Sequence, residues 1–286
     1  MPTSQESTRV NPLLELGSIT RSLSFAPAPW VLKQCVKTDF VYLENPPGYE
    51  SLKEDFSWDI TWKQEVDRRQ SAEPIRYAVS VGVKKFRSQV IKRNKVASLA
   101  RQFIGRIQSP TINLLDMGCG QGGLLEGVIS ALPPTLGSRC APHGIELSTD
   151  LARIADDNLR RLGGRCIHDN ALHGLDDFQE GYFDMIIMSS FLEHEINPLP
   201  LLRRCRERMR EGGFIIIKVP NFDCWNRHMR AEKWCGFRWP DHVNYFTPKT
   251  LQAMINRADL GVARMNFMDR HPLSDSMYLV AQKIQK

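Results

Sequence analysis

From Pro110 onward, short apolar runs alternate with stretches whose apolar residues recur three or four positions apart. The runs are Ile112–Leu115, Gly144–Leu147, Phe183–Met188 and Phe214–Val219. Each spans 4–6 residues with little polar alternation, which predicts strands buried on both faces of a parallel sheet. A further short run, Arg165–His168, predicts one more strand. Between the runs, Leu124–Leu132, Asp150–Leu162 and Pro198–Arg210 read as helices. Thr149 and Asn197 suit their N-terminal caps, and Gly163 and Gly212 suit their C-terminal ends. Such alternation predicts an α/β fold with a doubly wound sheet. The chain continues with a predicted helix at Pro248–Ala258 and apolar runs at Val262–Met268 and Met277–Ala281. The short link between those last two predicts antiparallel pairing.

Upstream the pattern changes twice. Residues 1–34 hold Pro, Ser and Thr without periodicity and read as a mobile tail. Residues 35–107 read as a folded aromatic and basic cap, with Phe40, Tyr42, Tyr49, Phe56, Trp58 and Trp62 broken by Pro46, Pro47 and Gly48. Within it, Phe86, Val90, Leu99 and Phe103 predict an amphipathic helix over Phe86–Ile104. Residues 108–286 form the predicted α/β domain.

Charge adds one feature. Residues 1–110 carry 17 Lys and Arg against 11 Asp and Glu, so this part holds the whole net charge of +6. The excess peaks between Glu73 and Asp116. There Arg76, Lys84, Lys85, Arg87, Lys92, Arg93, Lys95, Arg101 and Arg106 stand without an acid. A face of this kind attracts phosphate, so a phosphate-bearing acceptor is one expectation and a solvated helix surface the other. No run of about 18 apolar residues is present, so no membrane span is expected. The 7 cysteines include no CxxC pair; neither a disulfide framework nor a zinc ribbon is expected, and a reducing cytoplasm is.

In a doubly wound sheet, ligands bind beyond the carboxyl ends of the strands. The first strand runs into Asp116-Met117-Gly118-Cys119-Gly120-Gln121-Gly122-Gly123. Gly118, Gly120 and Gly122 permit a tight turn against which a ligand can press, with a helix N-terminus behind it. A Walker lysine followed by Ser or Thr is absent. Asp116 would repel a phosphate but accepts hydrogen bonds from an ammonium group, which fits the amino-acid part of S-adenosylmethionine. Glu146, ending the second strand, suits two ribose hydroxyls. Asp169-Asn170-Ala171 suits an adenine amino group, and Ser189 ends the fourth strand.

Taken together, Leu114-Leu115-Asp116-Met117-Gly118-Cys119-Gly120, Gly144-Ile145-Glu146, Asp169-Asn170-Ala171 and Phe183–Met188 resemble the ordered motifs of class I methyltransferases. The similarity runs on through Leu192-Glu193-His194 and Gly212-Gly213-Phe214 to Val219-Pro220-Asn221. It implies a seven-stranded Rossmann-like sheet with the last strand antiparallel, and S-adenosylmethionine as methyl donor with S-adenosylhomocysteine as product. It also implies that Asp116, Gly118 and Gly120 hold the methionine part, Glu146 the ribose, and Asp169 and Asn170 the adenine, with Cys119, Gly122, Ala171 and Ser189 as further candidates around the cofactor. Pro220-Asn221, Trp234, Pro240-Asp241-His242, Phe246-Thr247 and Thr250-Leu251 resemble a bacterial branch of glycan and natural-product enzymes. Leu192-Glu193-His194 is similar to the quinone-precursor O-methyltransferases, in which a further Glu commonly precedes by three positions. Ser190 stands there in this chain, so no metal is expected.

Methyl transfer needs an aligned acceptor and a group to take its proton. His242, after Pro240 in the aromatic segment, is the first candidate base and His194 the second. Trp225, Trp234, Trp239 and Asn221 are candidates for the acceptor wall. Cys119 reads as a small packing residue. The expected reaction is O-methylation of a small-molecule hydroxyl on a sugar, glycan or natural product. The alternatives are a methyltransferase modifying nucleic acid or protein through the basic face and, more remotely, an NAD-dependent dehydrogenase. The amino-methylating signature after the fourth strand is missing, which counts against a nucleic-acid partner.

Overall fold

The protein is described by a computed structural model that covers residues 9–48 and 94–284. Three short strands come first: β1 (Thr20–Leu23), β2 (Leu32–Cys35) and β3 (Val41–Leu43). Helix α1 (Lys95–Ile104), strand β4 (Ile112–Met117), helix α2 (Gly123–Ser130) and the single turn α3 (Pro134–Gly137) follow. Next come β5 (Cys140–Glu146), α4 (Thr149–Arg160), β6 (Arg165–His168), α5 (Ala171–Gly174) and β7 (Phe183–Ser189). The chain ends with α6 (Pro198–Arg208), β8 (Met209–Pro220), α7 (Trp225–Arg230), β9 (Asn244–Tyr245), α8 (Pro248–Arg257), β10 (Gly261–Arg264) and β11 (Ser276–Gln282).

Seven strands form one sheet in the order β10-β11-β8-β7-β4-β5-β6. Strands β4 to β8 pair in parallel, while β11 runs antiparallel to both β8 and β10. The expected seven-stranded doubly wound sheet with an antiparallel last strand is therefore present. Central strands are apolar throughout because they bury both faces. Ile112 and Leu114 of β4, Met185 and Ile187 of β7 and Ile216 of β8 pack with α1 and α2 on one face. Leu115, Met117, Ile186, Met188, Ile215 and Ile217 pack with α6 and α8 on the other.

Strand β5 begins four residues before the predicted run. Pro142 and His143 interrupt the apolar signal, yet His143 is buried and stands amid Phe178, Tyr182 and Phe183, its Nε2 3.2 Å from the Tyr182 hydroxyl. Ser148, not Thr149, caps α4, its hydroxyl accepting from Leu151 N–H.

The lead-in is corrected. Residues 9–34, expected within a mobile tail, carry two strands, and Leu13 and Leu32 are buried. β1, β2, β3 and β9 make a second, antiparallel sheet. Its last strand lies over 200 residues downstream, so no local periodicity could announce it. Arg9 binds it to the domain by donating to the carbonyls of Leu43, Val243 and Ile196 and to Asn244 Oδ1. In the predicted helix Phe86–Ile104, only α1 lies within the described residues, with Asn94 as its N-cap. Most of the basic stretch 76–106 lies outside them. Lys95, which is inside, is bonded to Asp269 at 2.9 Å rather than offered to a ligand.

Candidate functional site

The turn after β4 carries positive φ at Gly118 (65°), Gly120 (56°) and Gly122 (84°), a region open to glycine but strained for other residues. Gly118 and Cys119 donate their N–H groups to the Ile145 carbonyl, so this part of the turn is held against β5. A Cβ at Gly118 would stand 2.8 Å from the Phe191 ring, whereas a Cβ at Gly120 would meet nothing within 4 Å. The turn therefore packs on one side against the loop after β7 and presents open space at Gly120.

Two carboxylates flank it. Asp116 is buried one residue before the end of β4, and burial, aided by the nearby charge of Glu146, raises its pKa well above the usual carboxylate range. A cationic ligand would relieve that cost, since an opposite charge favours the ionised form. Glu146 accepts from Gly120 N–H at 2.9 Å through one oxygen and from Ser148 N–H at 3.0 Å through the other. Each carboxylate oxygen keeps a second lone pair for a hydroxyl donor. Past β6, Asp169 is half-buried and accepts from Asn170 N–H. Asn170 is the N-cap of α5, its oxygen taking the His173 N–H at 3.0 Å, which fixes the side chain at the start of the helix. Ala171 is buried in α5, and Ser189 is half-buried at the end of β7.

Neighbouring β7 leads into the other half of the site. Ser190 adopts φ 58° and donates its N–H to the Lys218 carbonyl. His194 follows, its Nδ1 2.8 Å from Asp241 Oδ1. Arg238 donates to the other Asp241 oxygen at 2.8 Å. Burial would raise Asp241, but the charge and hydrogen bond of His194 together with the charges of His242 and Arg238 outweigh it and hold the carboxyl well below its usual range. Burial would likewise lower His194, yet the facing carboxylate leaves its pKa raised above 6.5. His242 differs. It is buried, donates Nδ1–H to the Gly236 carbonyl at 2.8 Å, and burial together with the charge of His194 lowers it to about 3. The two rings stand edge to face with centroids 4.7 Å apart. Of the two candidate bases, His194 is the ring oriented by a carboxylate, with 21% of its side chain exposed, and His242 is the buried one packed against it.

Glu193 lies beside them, buried, with Oε2 unpartnered and its pKa raised by burial. Donor atoms of Glu193, His194 and His242 lie within 4.8 Å of one another. Sequence reasoning singled out the two histidines but assigned no role to Asp241. Its position next to His242 was the available signal; its contact with His194, 47 residues away, was not.

The acceptor wall is corrected at two places. Trp234 is fully buried and donates Nε1–H to Asp275 at 2.8 Å, so its ring belongs to a satellite core with Phe222 and Phe237. Asn221 is buried and accepts from Asp223 N–H, fixing the turn after β8. Trp239 is half-buried and stacks on Phe237. Trp225 is 58% exposed and lines a surface hollow of about 470 Å³ with Asp223, His228, Met229 and Pro272. Cys119 is buried as a packing residue, and its N–H turns to β5 rather than to a ligand.

Residues 86–264 match the family described as a methyltransferase domain. A ubiquinone biosynthesis O-methyltransferase of Xanthomonas campestris pv. campestris is 29% identical over 119 residues, 41% of this chain and 46% of that relative. The chain thus matches about half the length of that relative. One of the same name from Methylococcus capsulatus is 30% identical over 179 residues, covering 58% of this chain and 70% of the relative. The solved geranyl diphosphate methyltransferase in complex with S-adenosylmethionine shares the fold, with TM-score 0.52 and 15% identity over 66% of this chain and 84% of that one.

Proposed function

The chain belongs to the S-adenosylmethionine-dependent methyltransferase-domain family, and on that premise we propose that it methylates a hydroxyl oxygen of a small molecule. The observation that carries this reading is the Asp241–His194 contact in the loops beyond the carboxyl ends of the strands. With Nδ1 bound to Asp241, the Nε2 of His194 is left to take the acceptor's proton as the oxygen attacks the methyl carbon. Asp116 faces the ammonium of S-adenosylmethionine, Glu146 the ribose and Asp169 the adenine. Asp116 gains a countercharge for its buried carboxylate, which supports a cationic cofactor over a nucleotide phosphate.

A phenol is the favoured acceptor. Its pKa, near tyrosine's value of about 10, is within reach of an imidazole, whereas a sugar hydroxyl is far less acidic. The relatives are named as O-methyltransferases of ubiquinone biosynthesis, which supports hydroxyl chemistry. A sugar, glycan or natural-product hydroxyl stands as the second acceptor class, and a phosphate on the acceptor as a function for the basic stretch 76–106. All seven cysteines are free, which suits a reducing cytoplasm. Among the described residues no helix is long and apolar enough to cross a membrane.

The test is transfer of radiolabelled methyl from S-adenosylmethionine to a panel of phenols, sugars and short nucleic acids. Label in phenols supports the reading; label confined to nucleic acid overturns it.

A further inference from the structure

Cys119 and Cys166 bring their sulfurs to 3.6 Å although 47 residues separate them. Cys119 sits in the glycine turn after β4. Cys166 is the second residue of β6, the edge strand of the large sheet, and is half-buried. The space between them is made by Gly144, which pairs with Cys166 across β5 and β6. A Cβ at Gly144 would lie 2.4 Å from Cys119 Sγ. Only a residue without a side chain there lets the turn's thiol reach the neighbouring strand.

We propose that Cys119 and Cys166 are a modification site, closing a reversible disulfide in the presence of a hydroperoxide, and that closure weakens cofactor binding at the turn. The second half rests on the cofactor site proposed above. Cys119 is held protonated by its hydrogen bond to Cys166 and by burial. Cys166, half-buried on the edge strand and the more open of the two, attacks first. Its thiolate sulfur bonds to one peroxide oxygen, the O–O bond breaks, and the departing oxygen takes a proton and leaves as water or alcohol. The sulfur of Cys119 then attacks the sulfenic acid. The S–S bond forms, the S–O bond breaks, and the hydroxyl leaves as water with the Cys119 proton. Two thiols are oxidised and one peroxide is reduced.

A disulfide needs its sulfurs about 2.05 Å apart, so closure draws Cys119 towards β6. Gly118 and Gly120 flank Cys119, and Gly120 N–H is bonded to Glu146. The displacement therefore reaches the turn and the carboxylate together. A bound cofactor holds the turn and slows closure.

The experiment treats the full chain with hydrogen peroxide, maps peptides without reduction, and measures S-adenosylhomocysteine affinity by calorimetry. The expected result is a cross-linked 119–166 peptide pair and at least tenfold weaker binding, both reversed by dithiothreitol and absent in Cys166→Ser. Two thiols still free, or separately oxidised, overturn the site. A disulfide with unchanged affinity overturns the control of binding. Failure of the reduced protein to bind S-adenosylhomocysteine would instead sink the functional reading, while the peptide map still decides the bond.

Discussion

His194 and Asp241 meet at 2.8 Å between Nδ1 and Oδ1, joining the loop after β7 to the segment before β9. That contact fixes which ring nitrogen carries hydrogen and leaves Nε2 without a hydrogen bond among the described residues, 4.0 Å from Glu193 Oε1. His194→Ala should lower kcat by roughly 10²–10⁴-fold, the usual size of a lost general base. Cofactor affinity should hardly change. His242→Ala should cost less, because its ring is held by Gly236 and is scarcely basic. In the native protein the rate should rise with pH through a value above 6.5, since Asp241 raises His194. Asp241→Asn should move that limb down. Steady-state kinetics across pH 5–9 decide this, and full turnover by His194→Ala would return the role to His242 or remove it.

The strands of the large sheet were legible because each central one is apolar on both faces, as Ile112–Leu115 and Phe183–Met188 are. The glycine turn was legible from spacing. The small sheet was not, because β3 pairs with β9 across two hundred residues. Trp234 shows the other limit. A cluster of aromatic residues reads the same whether it faces a ligand or a core, and only its bond to Asp275 places it inside. Burial and partner charge likewise separate His194 from His242, and neither quantity is written in local sequence.

Asp116 should make cofactor binding pH-dependent. Burial raises its pKa, so in the free protein it takes up a proton at a pH where an exposed carboxylate would not. A proton and a cationic ligand compete for that site. Affinity for S-adenosylmethionine should therefore fall as pH drops, and in Asp116→Asn it should be weak and nearly flat. Calorimetry at pH 5 to 8 measures both slopes; parallel slopes would take Asp116 out of the site.

Gly120→Ala separates ligand approach from folding. The new Cβ meets no protein atom within 4 Å, so the structural cost is the positive φ, on the order of 1–2 kcal/mol. If the cofactor lies across the turn, affinity should drop at least tenfold with only a modest loss of thermal stability. Unchanged affinity would put the ligand elsewhere.

His143 should contribute to acid sensitivity. Burial, with the charge of Arg165, lowers its pKa to about 4 in the folded protein, against 6.5 when unfolded. Its contribution is complete above pH 6.5. Between pH 6.5 and 4 the unfolded chain binds the extra proton, so stability falls by about 1.4 kcal/mol per unit as pH drops. His143→Phe should flatten the loss of Tm over that range; an unaltered slope would assign the sensitivity to other groups.

Metal removal tests the chemistry assigned to the histidines. Glu193, His194 and His242 bring donor atoms within 4.8 Å of one another, and the buried Glu193 Oε2 has no partner. The same corner could thus hold a divalent cation, whose Lewis acidity would lower the acceptor's pKa without any base. The two arrangements differ in what chelation does. A neutral His194 accepting a proton needs no ion, so dialysis against EDTA should leave kcat and its pH limb unchanged, and added Mg²⁺ or Zn²⁺ should not raise the rate. Glu193→Gln should then cost less than tenfold, since burial pushes this carboxyl towards its neutral form and the amide keeps its shape. Loss of turnover on chelation, restored by a divalent ion and abolished by Glu193→Gln, would make the histidines holders of a metal and retire the proton-acceptor role of His194.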